Sequence, residues 1–188
     1  MRKPKHLLWL DLETTGSSKT EDDIIEVGCA LTTPDLETIV DTFTDVASPS
    51  DYAYLRLMSN DDVHDMHESN GLLEILQNTH MLHGIEYVEI QLIDWLRTNE
   101  VKDHEIMLCG SGVSHFDRRF LERDMPTFEK MLMYPNIDVG VIRRAAYLFA
   151  GIKNDPSDLK NHRALDDALL HLEEGRYWKK VFGSLQTA

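Results

Sequence analysis

Basic residues are scarce in this chain: 19 Lys and Arg stand against 33 Asp and Glu over 188 residues, a formal net charge of −14. That balance argues against a surface that wraps long nucleic acid, which rests on cations set against phosphates. It leaves room for an enzyme that grips a few nucleotides through bound metal ions, because a metal site needs acids and locally reverses the repulsion of phosphate. Cysteine is scarcer still. Cys29 and Cys109 both lie in apolar surroundings and read as reduced core thiols of a cytoplasmic protein, not as a disulfide or a zinc site. No apolar run approaches a membrane span, and MRKPKHLLWLDLE shows only a four-residue apolar stretch before acids intervene, which is no signal-peptide pattern. Internal repeats, low-complexity segments and Pro- or Ser-rich linkers are missing as well. Residues 1–188 therefore read as one domain, long enough to bury a substantial core.

Periodicity supplies the elements. Residues 7–12 form a strand, and IIEVGCALT (24–32) and ETIVDTFTDV (37–46) form two more, joined by a Thr33-Pro34-Asp35 turn. Such short spacing makes them antiparallel neighbours. Residues 58–68 are acidic and fit neither period, while 71–79 is a short helix. YVEIQLIDWLRTN (87–99) carries an apolar stripe through Val88, Leu92, Trp95 and Leu96. Trp9 and Trp95, on apolar faces, are expected in the core. EIMLCG (105–110) reads as a buried strand, followed by a Gly/Ser turn and a helix near 115–124. Residues 136–139 form a last short strand entering a helix over 139–149. After a loop (151–161), a final helix over about 164–182 is amphipathic through Leu165, Ala168, Leu169 and Leu172. Three early strands, then helices mixed with two more, describe an α/β domain with a mixed five-stranded sheet flanked by helices.

Chemistry gathers where acids interrupt this pattern. In LLWLDLETTG (7–16), Asp11 and Glu13 stand one residue apart at a strand's exit and point the same way. Two such carboxylates repel unless a cation or strong donors lie between them. Asp117 sits just after the strand and turn over 105–114, where a helix N-terminus favours an acid in any case. His162 precedes a helix that opens with Asp166 and Asp167, where the ordinary reading is again first-turn acids and a surface histidine. Neither of those two acids lies squarely on the apolar stripe, so periodicity does not choose between them. The set as a whole points further. Two divalent ions about 3.5–4 Å apart can clamp the attacking and leaving oxygens of a phosphodiester displacement. Magnesium and manganese take oxygen ligands, and histidine is the natural base for the attacking water.

At these residues the sequence resembles the DEDDh family of 3′–5′ exonucleases: Asp11-Leu12-Glu13, then Asp117 followed by Arg118, Arg119, Phe120 and Leu121, then His162-Arg163-Ala164-Leu165-Asp166-Asp167. All five family positions are filled in order. The pattern selects Asp167, five residues after His162, and leaves Asp166 as a neighbouring or capping acid. Within that family the likeness to oligoribonucleases runs nearly end to end, through WLDLETTG, IIEVGCALT, the His67-Glu68-Ser69-Asn70-Gly71-Leu72 stretch, Cys109-Gly110 and Asp138-Val139.

The resemblance implies a ribonuclease H-like exonuclease fold and a metal-dependent 3′–5′ exonuclease releasing nucleoside 5′-monophosphates from short RNA. Two Mg2+ or Mn2+ ions would be held by Asp11, Glu13, Asp117 and Asp167, with His162 taking the proton of the attacking water. Thr14, Thr15 and Gly16 would meet the terminal sugar. His67 is a candidate substrate contact, although on the residues alone a solvent-facing ring is the plainer reading. For at least one of Arg118 and Arg119, a surface ion pair is the safer expectation than a phosphate contact. A homodimer is implied as well, and short single-stranded nucleic acid as the substrate. Three departures loosen the length preference. Ser17 replaces the leucine usual after the first motif, Pro135 and Gly140 stand where an arginine and a serine are usual, and the segment before Asp117 is one residue longer. An exonuclease trimming longer single-stranded DNA or RNA is the alternative. A nucleotide-binding protein without cleavage is the non-enzymatic one, and all five positions being filled speaks against it.

Overall fold

The computed structural model describes residues 3–78, 82–156 and 159–184. Three antiparallel strands come first: β1 (His6–Thr14), β2 (Ile24–Thr32) and β3 (Ile39–Val46). Helices α1 (Asp51–Ser59), α2 (Asp61–Ser69), α3 (Leu72–Asn78) and α4 (Ile85–Thr98) lead to β4 (Ile106–Gly110). Then come α5 (Asp117–Asp124), α6 (Pro126–Met131), β5 (Leu132–Asp138), α7 (Val139–Ala150) and α8 (Ala164–Ser184). The sheet order is β3-β2-β1-β4-β5, with β4 parallel to both β1 and β5. This is the mixed five-stranded sheet that the sequence implies.

Alternation along β1 sorts the core into two layers. Leu8, Leu10 and Leu12 enter a cluster with Val88, Leu92 and Leu96 of α4 and Phe120 of α5. Leu7 and Trp9 face the other way, into a cluster with Leu172 and Trp178 of α8. By the same alternation Asp11 and Glu13 continue the α8 face. Close approach is built in there: a Cβ on Gly28 would lie 2.1 Å from the Leu165 backbone nitrogen, and one on Gly175 would lie 2.2 Å from the Trp9 ring. No larger residue fits either position, so α8 lies hard against β1 and β2.

Several elements differ from their sequence reading. The acidic stretch 58–68 is helical because Asn60 serves two helices. Its backbone N–H bonds Leu57 O at the end of α1, and its side chain accepts from Val63 N at the start of α2. Strand β5 begins earlier than expected, and Pro135 is tolerated because β5 is an edge. Helix α6, with Pro126 in its first turn, is too short to show a period. Trp9 is buried, whereas Trp95 is only half-buried, stacking on Phe43 and donating its indole N–H to Asp41 Oδ2 at 2.8 Å. Cys29 and Cys109 are buried free thiols, and burial pushes both pKa values up. The expected short helix over 71–79 ends at Asn78; Thr79 lies outside the described residues.

Candidate active site

The elements that carry the five candidate residues meet at one place: the end of β1, the start of α5 and the start of α8. Strand β1 delivers Asp11 and Glu13 beyond the last β1–β4 pair, Trp9 with Cys109. The amide of Leu12, past that last pair, donates to Asp117 Oδ1 at 3.2 Å, which ties the start of α5 to the end of β1. Helix α8 brings Asp167 down onto the same face, and the carboxylates of Glu13 and Asp167 and the ring of His162 lie within 4.8 Å of one another. Asp11, Glu13, Asp117 and Asp167 are all buried. Asp166 points away into solvent and accepts from Asn161 Nδ2 at 2.7 Å. Geometry therefore makes the choice that periodicity left open. The buried stripe of α8 runs through Ala164, Asp167, Ala168, His171, Leu172, Gly175 and Trp178, so Asp167 is on it after all.

Three of these buried acids, Asp11, Glu13 and Asp117, hold their protons tightly. Burial raises the Glu13 carboxyl from 4.5 to about 8, helped by Asp167 and Glu26. Asp117 rises from 3.8 to about 7, mainly by burial, against the backbone bonds it accepts. Asp11 is pushed well above the ordinary value by burial and by its three acidic neighbours, with Lys160 opposing. Lys160 reaches in from the loop before α8, its Nζ 3.1 Å from Asp167 Oδ2 and 3.7 Å from Asp11 Oδ1. Burial alone would lower its pKa, but Asp11 and Asp167 outweigh burial and raise it. One ammonium thus marks where positive charge is wanted.

The base is held by its neighbours. His162 has φ 55°, in the left-handed region, and its carbonyl accepts from Asn70 Nδ2. Next to it, Arg163 forks onto Glu26 at 2.7–3.2 Å, and Glu26 Oε2 also accepts from the Ala164 amide at 2.9 Å, closing the first turn of α8. His67 is not solvent-facing. It is fully buried, with Nε2 donating to the Thr14 carbonyl at 3.0 Å, so it stands behind the β1 exit and steadies it. The Thr14 hydroxyl donates to Gly16 O at 2.7 Å, and Thr15 Oγ1 accepts from Asp23 N at 2.9 Å. A polar cleft of about 480 Å³ opens beside Thr15, lined also by Asp22, Arg56 and Asn60. Arg118 makes the expected ion pair, 2.8 Å from Glu129, while Arg119 is exposed.

The donor set fits hard divalent cations, since four buried carboxylates converge and Asp167 Oδ2 is buried without a well-formed hydrogen bond. Sequence reasoning missed Lys160, Asn70, Glu26 and His171. His171 had a legible signal, because it stands four residues after Asp167 on one helix face. Its ring is buried, and burial, then Lys160 and Arg143, push its pKa to about 3. The other three act through the chain's path, which no local spacing reports.

Similarity to known proteins agrees with this geometry. The oligoribonuclease of Tropheryma whipplei is 34% identical over 182 residues, covering 95% of this chain and 94% of that protein. That of Cutibacterium acnes is 32% identical over 179 residues, covering 93% and 85%. No protein-family model matches the chain. Among solved structures, cell-death related nuclease 4 (CRN-4) superposes with a TM-score of 0.67 at 13% identity, over 96% of this chain and 64% of that one. The nuclease domain of 3′hExo, a DEDDh family member bound to rAMP, gives a TM-score of 0.56 at 17% identity, over 92% and 90%. At such identities these two structures speak for the fold. The chain belongs to the oligoribonuclease family of DEDDh-type 3′–5′ exonucleases.

Proposed function

We propose that residues 1–188 form one exonuclease domain that removes nucleoside 5′-monophosphates from the 3′ end of short RNA. The observation that carries this reading is the convergence of Glu13, His162 and Asp167 within 4.8 Å, beside buried Asp11 and Asp117. Asp11, Glu13 and Asp167 would hold one Mg2+ or Mn2+, with Asp11 reaching a second that Asp117 supports. Two such ions, when bound, polarise the phosphate and stabilise charge on the attacking and leaving oxygens. His162 accepts the proton of the attacking water, and its place on a partly exposed loop gives that proton a way out. Bound ions would compete with the Lys160 ammonium for the Asp11 and Asp167 carboxylates. Thr14, Thr15 and the backbone at Gly16 meet the terminal sugar, and His67 contributes by fixing the Thr14 carbonyl.

A homodimer belongs to the same reading. Tyr147, Leu148 and Phe149 at the end of α7 stay exposed, as does Leu159, and a second copy would cover them. Sedimentation should then find twice the 21.7 kDa chain mass; a monomer would contradict it. Buried, reduced Cys29 and Cys109 fit a cytoplasmic enzyme, and no helix among the described residues is long and apolar enough to cross a membrane.

The alternative, trimming of longer single strands, is favoured by one feature: Ser17 is exposed and small, so it offers no apolar wedge to end the track of bases. End-labelled RNAs and single-stranded DNAs from dinucleotides upward, with Mn2+ or Mg2+, decide between them. Fastest cleavage of the shortest RNAs supports the proposal, and stepwise trimming of long strands supports the alternative. No cleavage of any substrate would leave a binding protein.

A further inference from the structure

His171 is the least explained side chain at this site. It is 1% exposed, and neither ring nitrogen has a hydrogen-bond partner among the described residues. Its Nδ1 lies 3.8 Å from Asp11 Oδ1, beyond hydrogen-bond reach. His67, the other fully buried histidine of this region, at least places Nε2 on a carbonyl. Two orphaned nitrogens destabilise a fold, and a leucine would fill the same space without that cost. The position therefore makes sense only with a partner for the ring. The space between the ring and Asp11 Oδ1 favours a partner that both can bind at once, and a cation is such a partner. Residues four apart on a helix share a face, and that spacing lets two side chains hold one ion. A neutral imidazole suits manganese, cobalt or zinc, whereas magnesium prefers oxygen.

We propose that His171 adds a ring-nitrogen donor to the divalent-ion site of Asp11 and Asp167 and tilts that site from magnesium towards manganese. The proposal rests on the divalent site of the preceding reading and adds to it a ligand and a metal preference.

Calorimetric titration of the full chain with Mn2+ and with Mg2+ tests it, together with pulsed electron paramagnetic resonance of the Mn2+-loaded protein for coupling to nitrogen. In His171→Leu, Mn2+ binding should weaken about tenfold or more, with Mg2+ binding nearly unchanged. The nitrogen coupling should vanish in His171→Leu and survive in His162→Ala. His171→Gln, which keeps a polar side chain without a ring nitrogen, repeats the comparison if the leucine variant folds poorly. An unchanged Mn2+-to-Mg2+ ratio, or equal weakening of both ions, overturns the proposal, as does nitrogen coupling lost only with His162. Failure of the unaltered chain to bind either ion would overturn the divalent site itself, and this inference with it.

Discussion

Asp11 near the end of β1 and Asp138 at the end of β5 are both buried aspartates on parallel strands separated by β4, yet they live in opposite worlds. Burial works to raise both. Around Asp138, the Ser114 hydroxyl and the amides of Gly112, Val141 and Ser114 outweigh burial and hold the carboxyl below its ordinary value. Asp11 meets a single ammonium and three other acids, and it is pushed up. Glu26 also has its partners, Arg163 and the Ala164 amide, whereas Glu13 is pushed up as Asp11 is. Buried charge is thus no mark of function by itself; buried charge whose partners are withheld is. The satisfied acids hold the loops, and the unsatisfied ones await a ligand.

Breaking the unsatisfied set should affect chemistry most. Asp11→Asn should lower cleavage of a short RNA by about 10³-fold or more while the protein stays folded, measured by kcat/KM and circular dichroism. A matching change in the satisfied set should do the reverse. Asp138→Ala strands several donors and should lose about 2–4 kcal/mol in urea unfolding, with activity per folded molecule largely kept. Sharpening the contrast by pH needs its sign worked out. Glu13 and Asp117 bind protons more tightly folded, at about 8 and about 7, than their ordinary values of 4.5 and 3.8. Metal-free stability should therefore fall as pH rises from about 4 to about 8, and a melting temperature that rises across that window would contradict the assignment. The smallest effect concerns the base's holder. Asn70→Ala frees the His162 carbonyl and should lower kcat about tenfold with KM little changed.

Much of this was legible in the sequence because it is local. The two-residue period of β1 put Asp11 and Glu13 on one face, and the structure shows that face to be the one α8 covers. The order of strands and helices announced the mixed sheet. What stayed hidden depends on how distant segments meet. Asp167 looked off the stripe because Leu165 and Leu169 seemed to define it, whereas the close approach at Gly28 and Gly175 turns α8 so that Asp167 and His171 face inward. His67 looked solvent-facing in an acidic run, and only the meeting of α2 with the end of β1 buries it. Lys160 precedes His162 by two residues with no pattern around it, so its reach into the acids belongs to the loop's path alone.

The most direct test of withheld partners is thermal unfolding of the unaltered chain and of Glu13→Gln at pH 8, each without metal and with saturating Mn2+. The account predicts that Glu13→Gln melts higher than the unaltered chain without metal, because a repelled buried charge is gone. It predicts the opposite order with Mn2+, because a ligand is gone too. A variant that melts lower without metal would mean that Glu13 already has its partners, and would contradict the central claim.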